Sequence, residues 1–353
     1  MLLVRKVNPD MVVSRQLKHL FYEKNLPPDL DLRLEKLYQC PFCVKSYFEL
    51  FRDAEKINLL MLWEGESLPR HILVYTVSGR TVTILNELVK IEPEYAEHGA
   101  DALFSRYPAV TTIHFNCMKM NITESRYPWR LWKRSQDIAI ALPSTFEAYQ
   151  GVLGQQTRKH LRYYQNRLQR DYADVVFHDV ATEQIDPAAI GEIIEMNRLR
   201  MESKGIRSGF DSAAEERIKK FCRQYGLITT LRAGGKIIAG AICYEVGNQV
   251  YLEAIAHDSA FDRYNPGQLC LYLTVQQLIR RGRESFHLLW GENEYKYRFL
   301  GVKQELYFFS FYRSAFHRRA CLPQLTSHLC ARLFNQGEYL IQKYVIRRFG
   351  KRR

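Results

Sequence analysis

A predicted β-strand around residue 253 carries two side chains suited to acid–base chemistry. Along the run 249–256 and the residue after it, strand alternation places four side chains on one face: Tyr251, Glu253, Ile255 and His257. Glu253 is interior to an otherwise apolar strand, where burial raises the pKa of a carboxyl toward that of a useful general base. His257 ends the strand, and an unperturbed histidine has a pKa of about 6.5. The other roles left open are a cross-strand partner for Glu253 and a loop polar residue for His257.

The loop and helix that follow this strand have the features of a phosphate-binding turn. The loop leads to Pro266-Gly267, and a helix is predicted from there to about Arg281. Proline is favoured at the first helical position, and glycine lets a ligand approach the backbone closely. The helix N-terminus then presents free N–H groups and a positive dipole end. The predicted cofactor-binding residues are Asn265, Gly267, Gln268 and Leu269, with an ordinary turn as the alternative.

Three segments between residues 145 and 312 resemble one enzyme superfamily. They are Thr157-Arg-Lys-His-Leu-Arg-Tyr-Tyr-Gln-Asn-Arg-Leu, Ala260-Phe-Asp-Arg-Tyr-Asn-Pro-Gly-Gln-Leu and Leu288-Leu-Trp-Gly-Glu-Asn-Glu-Tyr-Lys-Tyr-Arg. In order and content they resemble the GNAT acyltransferases, most closely the Fem-like branch of tandem GNAT domains. His287 departs from the pattern, because many relatives have an acid in this fifth strand.

The resemblance implies acyl transfer from acyl-CoA, such as acetyl-CoA, to an amine, without a metal. The implied acceptor is an amine on a cell-envelope or polysaccharide precursor. Tyr295 would protonate the leaving thiolate and Lys296 would bind phosphate or the oxyanion; core packing and a surface lysine are the alternatives. Four charged residues are predicted to bind substrate: Arg158, Arg162, Glu292 and Glu294. The alternatives are a solvated helix face for the two arginines and loop caps for the two glutamates.

Two rival functions remain compatible with the same sequence. An aminoacyl-tRNA-dependent transferase of the Fem-like branch would use the same fold with RNA as the donor, although no extra helical hairpin is evident. A non-catalytic scaffold would use a basic C-terminal tail to contact a membrane or a partner. Residue substitutions that abolish acyl transfer would leave the role of such a scaffold intact.

The expected fold class is α+β (mixed α/β), with tandem GNAT-like domains, each a mostly antiparallel sheet flanked by helices. The predicted units are 1–140, 141–312 and a basic helical tail, 313–353. Hairpins are predicted over 71–85, with a turn at Ser78-Gly79, and over 227–244, with a turn at Gly234-Gly235. A long helix is predicted from Phe146 to about Asp171, with Ser144 as its N-cap.

Net charge is concentrated at the C-terminal end of the 353-residue chain. Ten Lys and Arg against the single acid Glu338 give residues 313–353 a charge of +9, out of +13 for the whole chain. Such a tail can lie on an anionic membrane surface or bind a polyanion, with a packed terminal helix as the alternative. The absence of zinc-finger and RNP-type motifs disfavours specific nucleic-acid recognition.

Composition and cysteine spacing exclude several further classes. No apolar run approaches the roughly 18 residues of a membrane-spanning helix, and the N-terminus is charged too early for a signal peptide. The prediction is a cytoplasmic protein, with peripheral contact at the inner membrane face as an option. Cys40 and Cys43 have redox-pair spacing, but the context favours packing over redox or zinc chemistry.

Overall fold

A single mixed sheet organises the chain in the computed structural model, which describes residues 17–23, 26–52, 57–65, 68–120 and 122–320. Within these residues twelve strands join edge to edge in the order β1-β2-β3-β4-β5-β12-β6-β11-β10-β9-β8-β7. Two neighbouring pairs, β4 with β5 and β10 with β11, are parallel, and the remaining pairs are antiparallel. This confirms the predicted mixed α+β class with a mostly antiparallel sheet.

The first half of the described chain contains six strands and three helices. In chain order they are β1 (Leu17–Glu23), α1 (Leu30–Tyr38), α2 (Lys45–Phe51), β2 (Asn58–Glu64), β3 (His71–Ser78), β4 (Thr81–Ile84), α3 (Pro93–Arg106), β5 (Thr112–Met118) and β6 (Trp129–Ala141). A short 3₁₀ turn, Pro41–Cys43, joins α1 to α2. The predicted hairpin over 71–85 is confirmed as β3 and β4, with Gly79 at φ 56° in its turn.

The second half repeats a related order of elements. In chain order they are α4 (Phe146–Val152), α5 (Gln155–Asp171), β7 (Val176–Ala181), α6 (Pro187–Glu202), α7 (Ser212–Tyr225), β8 (Gly226–Ala233), β9 (Lys236–Val246), β10 (Gln249–His257), α8 (Pro266–Arg280), β11 (Ser285–His287), α9 (Glu294–Arg298), β12 (Val302–Tyr312) and α10 (Ala315–Ala320). A 3₁₀ turn, Ser259–Tyr264, connects β10 to α8.

The two halves exchange their last strands at the centre of the sheet. β12 ends the second half, yet it lies between β5 and β6 and pairs with both. β6 ends the first half, yet it pairs with β11 of the second half through residues 139–141. The predicted boundary at 140/141 therefore falls at the end of a strand that the other half needs. A division into two folding units remains a proposal.

Local signals explain most helix and turn positions, with two corrections. The predicted helix from Phe146 to Asp171 is two helices, because the chain is extended at Leu153 and Gly154. Its N-cap is Thr145, not Ser144: the Thr145 hydroxyl accepts a hydrogen bond from the Ala148 N–H at 3.2 Å. The predicted Gly234-Gly235 turn is confirmed, and both glycine N–H groups donate to the Asp174 carboxylate at 2.9 and 2.8 Å.

Helices cover both faces of the second half of the sheet. α5 and α8 pack on one face through Leu161, Leu168 and Leu271, and α6 and α7 pack on the other through Ile193 and Phe221. Within the described ranges, no helix is long and apolar enough to cross a membrane. Of the predicted basic tail, only residues up to Ala320 are described, and the rest lies outside the described residues.

Candidate active site

A β-bulge on β10 isolates Glu253 from the ladder around it. Pairing with β9 shifts register between Leu252 and Ala254, so Glu253 is the extra residue of the bulge. Burial raises the pKa of its carboxyl to about 7. Within the described part of the chain it has no hydrogen-bond or ion-pair partner. A carboxyl held in this way is ready to take a proton near neutral pH.

The surroundings of Glu253 are aromatic and apolar. Its charge adds to burial in raising the pKa values of Tyr47 on α2 and of Tyr244 on β9. The buried Tyr244 hydroxyl has no hydrogen-bond partner. Phe42, from the first half of the chain, contacts the Tyr47 ring edge-on at 5.3 Å between centroids. Residues of both halves therefore surround the carboxyl.

An exposed tryptophan extends this aromatic cluster toward solvent. The Trp290 ring lies 5.7 Å from Phe42, and Phe42 in turn contacts Tyr251 at 6.0 Å. Trp290 is 42% exposed, whereas Tyr251 and Phe42 are buried. Such a wall can accept an alkylammonium group through cation–π attraction.

The predicted shared face of Tyr251, Glu253, Ile255 and His257 is wrong, and the bulge is the reason. Tyr251 stacks on His287, and Glu253 borders Tyr244. After the bulge, Ile255 packs toward α8, and His257 contacts the first turn of α8. One extra residue reverses the alternation, so Glu253 and His257 lie on opposite faces of the sheet.

His257 lies beside the N-terminus of α8, where it pairs with Asp262. Its Nε2 is 3.0 Å from Asp262 Oδ1. A Cβ on Gly267 would lie only 2.9 Å from His257 Nδ1, so a larger residue here would have to displace the imidazole. This is a different reason from the predicted one, since the contact at Gly267 is with a side chain of the protein itself.

The remaining predicted cofactor residues divide into exposed and buried positions. Asn265 adopts the left-handed conformation at φ 48°, ψ 50° and precedes Pro266, the first residue of α8. Gln268 is partly exposed beside them. Leu269 is wrong as a cofactor contact, because its side chain is buried in the core and its N–H donates to the Asn265 carbonyl at 3.2 Å.

Lys296 binds backbone, which makes the predicted phosphate or oxyanion role wrong. Its buried ammonium donates to three carbonyl oxygens in succession, those of Leu288 at 2.7 Å, Leu289 at 3.0 Å and Trp290 at 2.6 Å. Burial lowers its pKa to about 8, opposed by the negative charge of Asp137. All three protons of the ammonium are used, and they hold the turn in which Leu289 has φ 53°.

Replacing Lys296 with Met is expected to lower the free energy of unfolding by roughly 2–4 kcal/mol. Three buried carbonyls lose a charged donor, while the side-chain length is preserved. Urea unfolding at pH 7 measures the change. Lys303→Met is the control, because Lys303 forms an exposed pair with Glu292 at 2.5 Å, and such pairs contribute about 0–1 kcal/mol. Equal losses in the two variants would contradict the assigned role of Lys296.

The other predicted catalytic and substrate residues are not gathered around Glu253. Tyr295 is half-buried against the core on the α5 and α8 side, and burial raises its pKa. Glu294 is largely exposed, and its Oε1 lies 3.9 Å from Arg298 Nε, as in an ordinary surface ion pair. Arg158 and Arg162 lie on the exposed face of α5, which covers the face of the sheet opposite Glu253. Their functional roles remain predictions.

Sequence reasoning missed a polar cluster at a pocket between the two halves. Asp137 on β6 is fully buried and its Oδ2 lies 2.5 Å from His287 Nδ1 on β11. The pocket has a volume of about 470 Å³, and its lining includes Arg70, His71, Lys119, Gln249, Ser285 and His287. The detectable signals were the lone acid Asp137 beside the apolar run 138–141 and the histidine at 287.

Cys40 and Cys43 behave as packed thiols, in line with the prediction. Both are buried, and their Sγ atoms donate to the Glu87 carbonyl at 3.5 and 3.4 Å. Burial raises the pKa of the Cys43 thiol well above its ordinary value, which makes a reactive thiolate scarce. In the part of the chain that the structure describes, no cluster of three or more His, Cys, Asp or Glu side chains is placed to hold a metal ion.

Comparison with known proteins identifies the second half and the overall fold. Residues 155–297 match a family model described as an acetyltransferase (GNAT) domain. The structure of FemX is 8% identical, with a TM-score of 0.58 over 87% of this chain and 100% of that chain. A conserved protein of unknown function from Bacteroides thetaiotaomicron VPI-5482 is 12% identical, with a TM-score of 0.51 over 82% and 99% of the two chains.

A third solved structure and the curated proteins complete the comparison. L-PGS from Bacillus licheniformis is 14% identical, with a TM-score of 0.48 over 89% of this chain and 98% of that chain. No curated protein sequence matches this chain. The likenesses to FemX and to the Bacteroides protein, both with TM-scores above 0.5, establish the fold alone at these identities.

Proposed function

We propose that the chain transfers an acyl group from acyl-CoA to an amine, from the premise that residues 155–297 match a GNAT acetyltransferase domain and that the chain has the fold of FemX. These two matches confirm the resemblance to the GNAT acyltransferases found in the sequence. The donor, the acceptor and the residues that act on them are the proposal. The observation that carries it is the unpaired carboxyl of Glu253 at the β10 bulge, with a pKa of about 7.

The chemistry requires one group to take a proton and one to give a proton. The Glu253 carboxylate removes a proton from the acceptor ammonium, and the freed amine nitrogen attacks the thioester carbonyl carbon. The C–N bond forms, the C–S bond breaks, and the departing CoA thiolate takes up a proton. Tyr295 lies on the α5 and α8 side of the sheet, opposite Glu253, so solvent would supply that proton. The exposed ring of Trp290, backed by the buried rings of Phe42 and Tyr251, would hold the alkyl part of the acceptor.

The N-terminus of α8 is the best candidate for the donor's pyrophosphate. In its first turn Pro266 has no N–H, and the Gln268 and Leu269 N–H groups donate to the Asn265 carbonyl, which leaves the Gly267 N–H and the positive end of the 15-residue helix. The guanidinium groups of Arg263 and Arg167 lie 4.7 and 5.5 Å from the Tyr264 ring centroid, beside this turn. Acidic residues nearby offset part of their charge, among them Asp262, so the positive end of the helix and the Gly267 N–H would add to the attraction of the two guanidinium groups.

Calorimetric titration with CoA and acetyl-CoA at moderate salt tests the donor. We expect saturable micromolar binding, weakened about tenfold in Arg263→Glu, which corresponds to about 1.4 kcal/mol. Arg280→Glu is the matched control, because it makes the same charge change at the opposite, exposed end of α8. It should change affinity less than twofold. A folded protein that binds neither ligand would contradict the CoA donor.

An aminoacyl ester of RNA is a second candidate donor, favoured by the exposed face of α5. Arg158, Lys159 and Arg162 share a shallow groove there with Tyr163 and Asn166. No carboxylate partner is found for these three cations among the described residues. A row of unpaired cations attracts a phosphate backbone, and that attraction weakens as salt rises. Transfer that requires aminoacyl-tRNA and is lost after ribonuclease treatment would support this donor over CoA.

A further inference from the structure

Three side chains at the pocket between the halves form a hydrogen-bonded chain from serine to histidine to aspartate. His287 Nδ1 lies 2.5 Å from Asp137 Oδ2, and His287 Nε2 lies 2.9 Å from Ser285 Oγ. A carboxylate only accepts, so the Nδ1 proton donates to Asp137. The lone pair of Nε2 then lies within hydrogen-bond distance of Ser285 Oγ, the geometry from which a histidine can take the proton of a serine nucleophile.

Burial and charge hold this arrangement in place. Asp137 is fully buried, and its other oxygen, Oδ1, has no hydrogen-bond partner. His287 is buried as well, and its ring is stacked on Tyr251 at 4.3 Å between centroids. The Lys296 ammonium is close enough to interact with the Asp137 charge. The imidazole therefore has a fixed orientation and a fixed negative neighbour.

The serine end of the chain reaches the pocket of about 470 Å³. Ser285, Gln249 and His287 all line it. The single proton of the Ser285 hydroxyl is donated to the Gln249 side-chain oxygen, which lies 3.1 Å from His287 Nε2. Rotation about the Cβ–Oγ bond turns this proton from Gln249 toward Nε2. When the imidazole takes the serine proton, this oxygen accepts a hydrogen bond from the new N–H. Gln249 thus favours the imidazolium that forms during nucleophilic attack.

We propose that Ser285 is a nucleophile that forms a covalent acyl-enzyme with an ester entering this pocket. Its Oγ bonds to the ester carbonyl carbon, the C–O bond to the alcohol breaks, and the serine proton passes through His287 Nε2 to the leaving alkoxide. Water then attacks the acyl-serine, releasing the acid and restoring the hydroxyl. This activity is separate from thioester aminolysis at Glu253 and does not depend on it.

The charges around the pocket indicate the class of ester. Lys90, Lys119 and Arg70 line it, and Glu92 is the acid among the lining residues. The Glu92 carboxylate pairs with two of these neighbours: its Oε2 lies 2.7 Å from His71 Nε2, and its Oε1 lies 3.4 Å from Arg70 Nη2. Two lysines remain to neutralise a ligand, so the expected substrate is a small ester that carries a carboxylate or a phosphate.

Labelling with a fluorophosphonate probe tests the nucleophile without any knowledge of the natural ester. Trypsin cleavage after Arg283 and Lys296 releases a peptide whose only serine is Ser285. We expect the probe mass on this peptide. Ser310 is an internal control: its Oγ lies 2.5 Å from His114 Nδ1, but it is fully buried and the pKa of His114 is lowered by burial alone. Its peptide, 304–313, should remain unmodified.

Two variants complete the test. Ser285→Ala should remove the label and any burst of nitrophenol from p-nitrophenyl acetate. His287→Gln should slow labelling about 100-fold or more, because the general base is lost. Circular dichroism confirms that each variant is folded. An unlabelled Ser285 in the folded wild-type protein would overturn the proposal, as would equal labelling rates in folded wild type and His287→Gln. If His287→Gln does not fold, the half-buried position 285 supplies the test. Loss of the label in folded Ser285→Ala supports the proposal, and a label that persists there overturns it.

Discussion

Replacing Glu253 with Gln is expected to lower kcat/KM for amine acylation by about 10²- to 10⁴-fold, the range for losing a general base. The amide has nearly the same shape as the carboxyl but cannot take a proton. Since burial raises the pKa of Glu253 to about 7, wild-type activity should rise with pH through that value as the carboxyl ionises. In the variant this limb of the pH profile should disappear. Steady-state kinetics from pH 5.5 to 9 measure both effects.

A matched control separates the base from a general loss of charge. Glu195 on α6 is an exposed carboxylate paired with Arg198 at 3.3 Å, and Glu195→Gln should leave kcat/KM and its pH profile unchanged. A Glu253→Gln variant that retains full acylation would contradict the assignment of the base. If the biological role also survived in that variant, a non-catalytic scaffold would be favoured.

The same substitution should increase stability above neutral pH. The folded pKa of about 7 exceeds the ordinary 4.5, so between these values the folded state binds more protons than the unfolded state. The stabilising contribution is complete below pH 4.5 and is lost as pH rises through 7. One pKa unit corresponds to about 1.4 kcal/mol, so the total loss is about 3 kcal/mol. Glu253→Gln avoids it, and urea unfolding should show the variant more stable at pH 8 but not at pH 5.

Local features of the fold were predictable because their causes lie within a few residues. The turn at Gly234-Gly235 follows from two adjacent glycines, both with positive φ, between alternating apolar runs. The start of α8 at Pro266 follows from the fixed φ of proline. The exchange of β6 and β12 was not predictable in this way. It joins residues about 160 positions apart, such as Ala139 and Val302, and only long-range packing selects that pairing.

The site was predicted in part, for related reasons. Glu253 stood out as a lone acid in an apolar strand, and its unusual burial is confirmed. The bulge at Glu253 was missed because the prediction assumed a regular two-residue alternation of side chains. Nothing in the residue types of this strand indicates an extra residue. Lys296 was misassigned because its partners are backbone carbonyls, which every sequence contains. Asp137 and His287 lie 150 residues apart, and nothing local links them.

Replacing Phe309 with Ala is expected to destabilise the protein by about 4 kcal/mol, typical of a large aromatic deleted from a core. Phe309 lies on β12, is 1% exposed, and stacks on Phe115 of β5 at 4.6 Å. Its register partner on the other side is Leu131 of β6. Urea unfolding measures the loss. Phe308→Ala is the control, because Phe308 is only partly buried and should cost about 1–2 kcal/mol.

Because the two halves exchange strands, Phe309→Ala also tests whether they unfold together. If β12 ties the halves into one cooperative unit, Phe309→Ala should speed hydrogen exchange equally in β2–β3 and in β8–β9, although Phe309 shares its hydrophobic cluster with β2–β3 and not with β8–β9. Faster exchange confined to β2–β3 would instead mean that the halves unfold separately and that the sheet is continuous without being cooperative. Because the pocket with Ser285 and His287 is lined by both halves, cooperative unfolding would also couple the stability of each half to the geometry of that pocket.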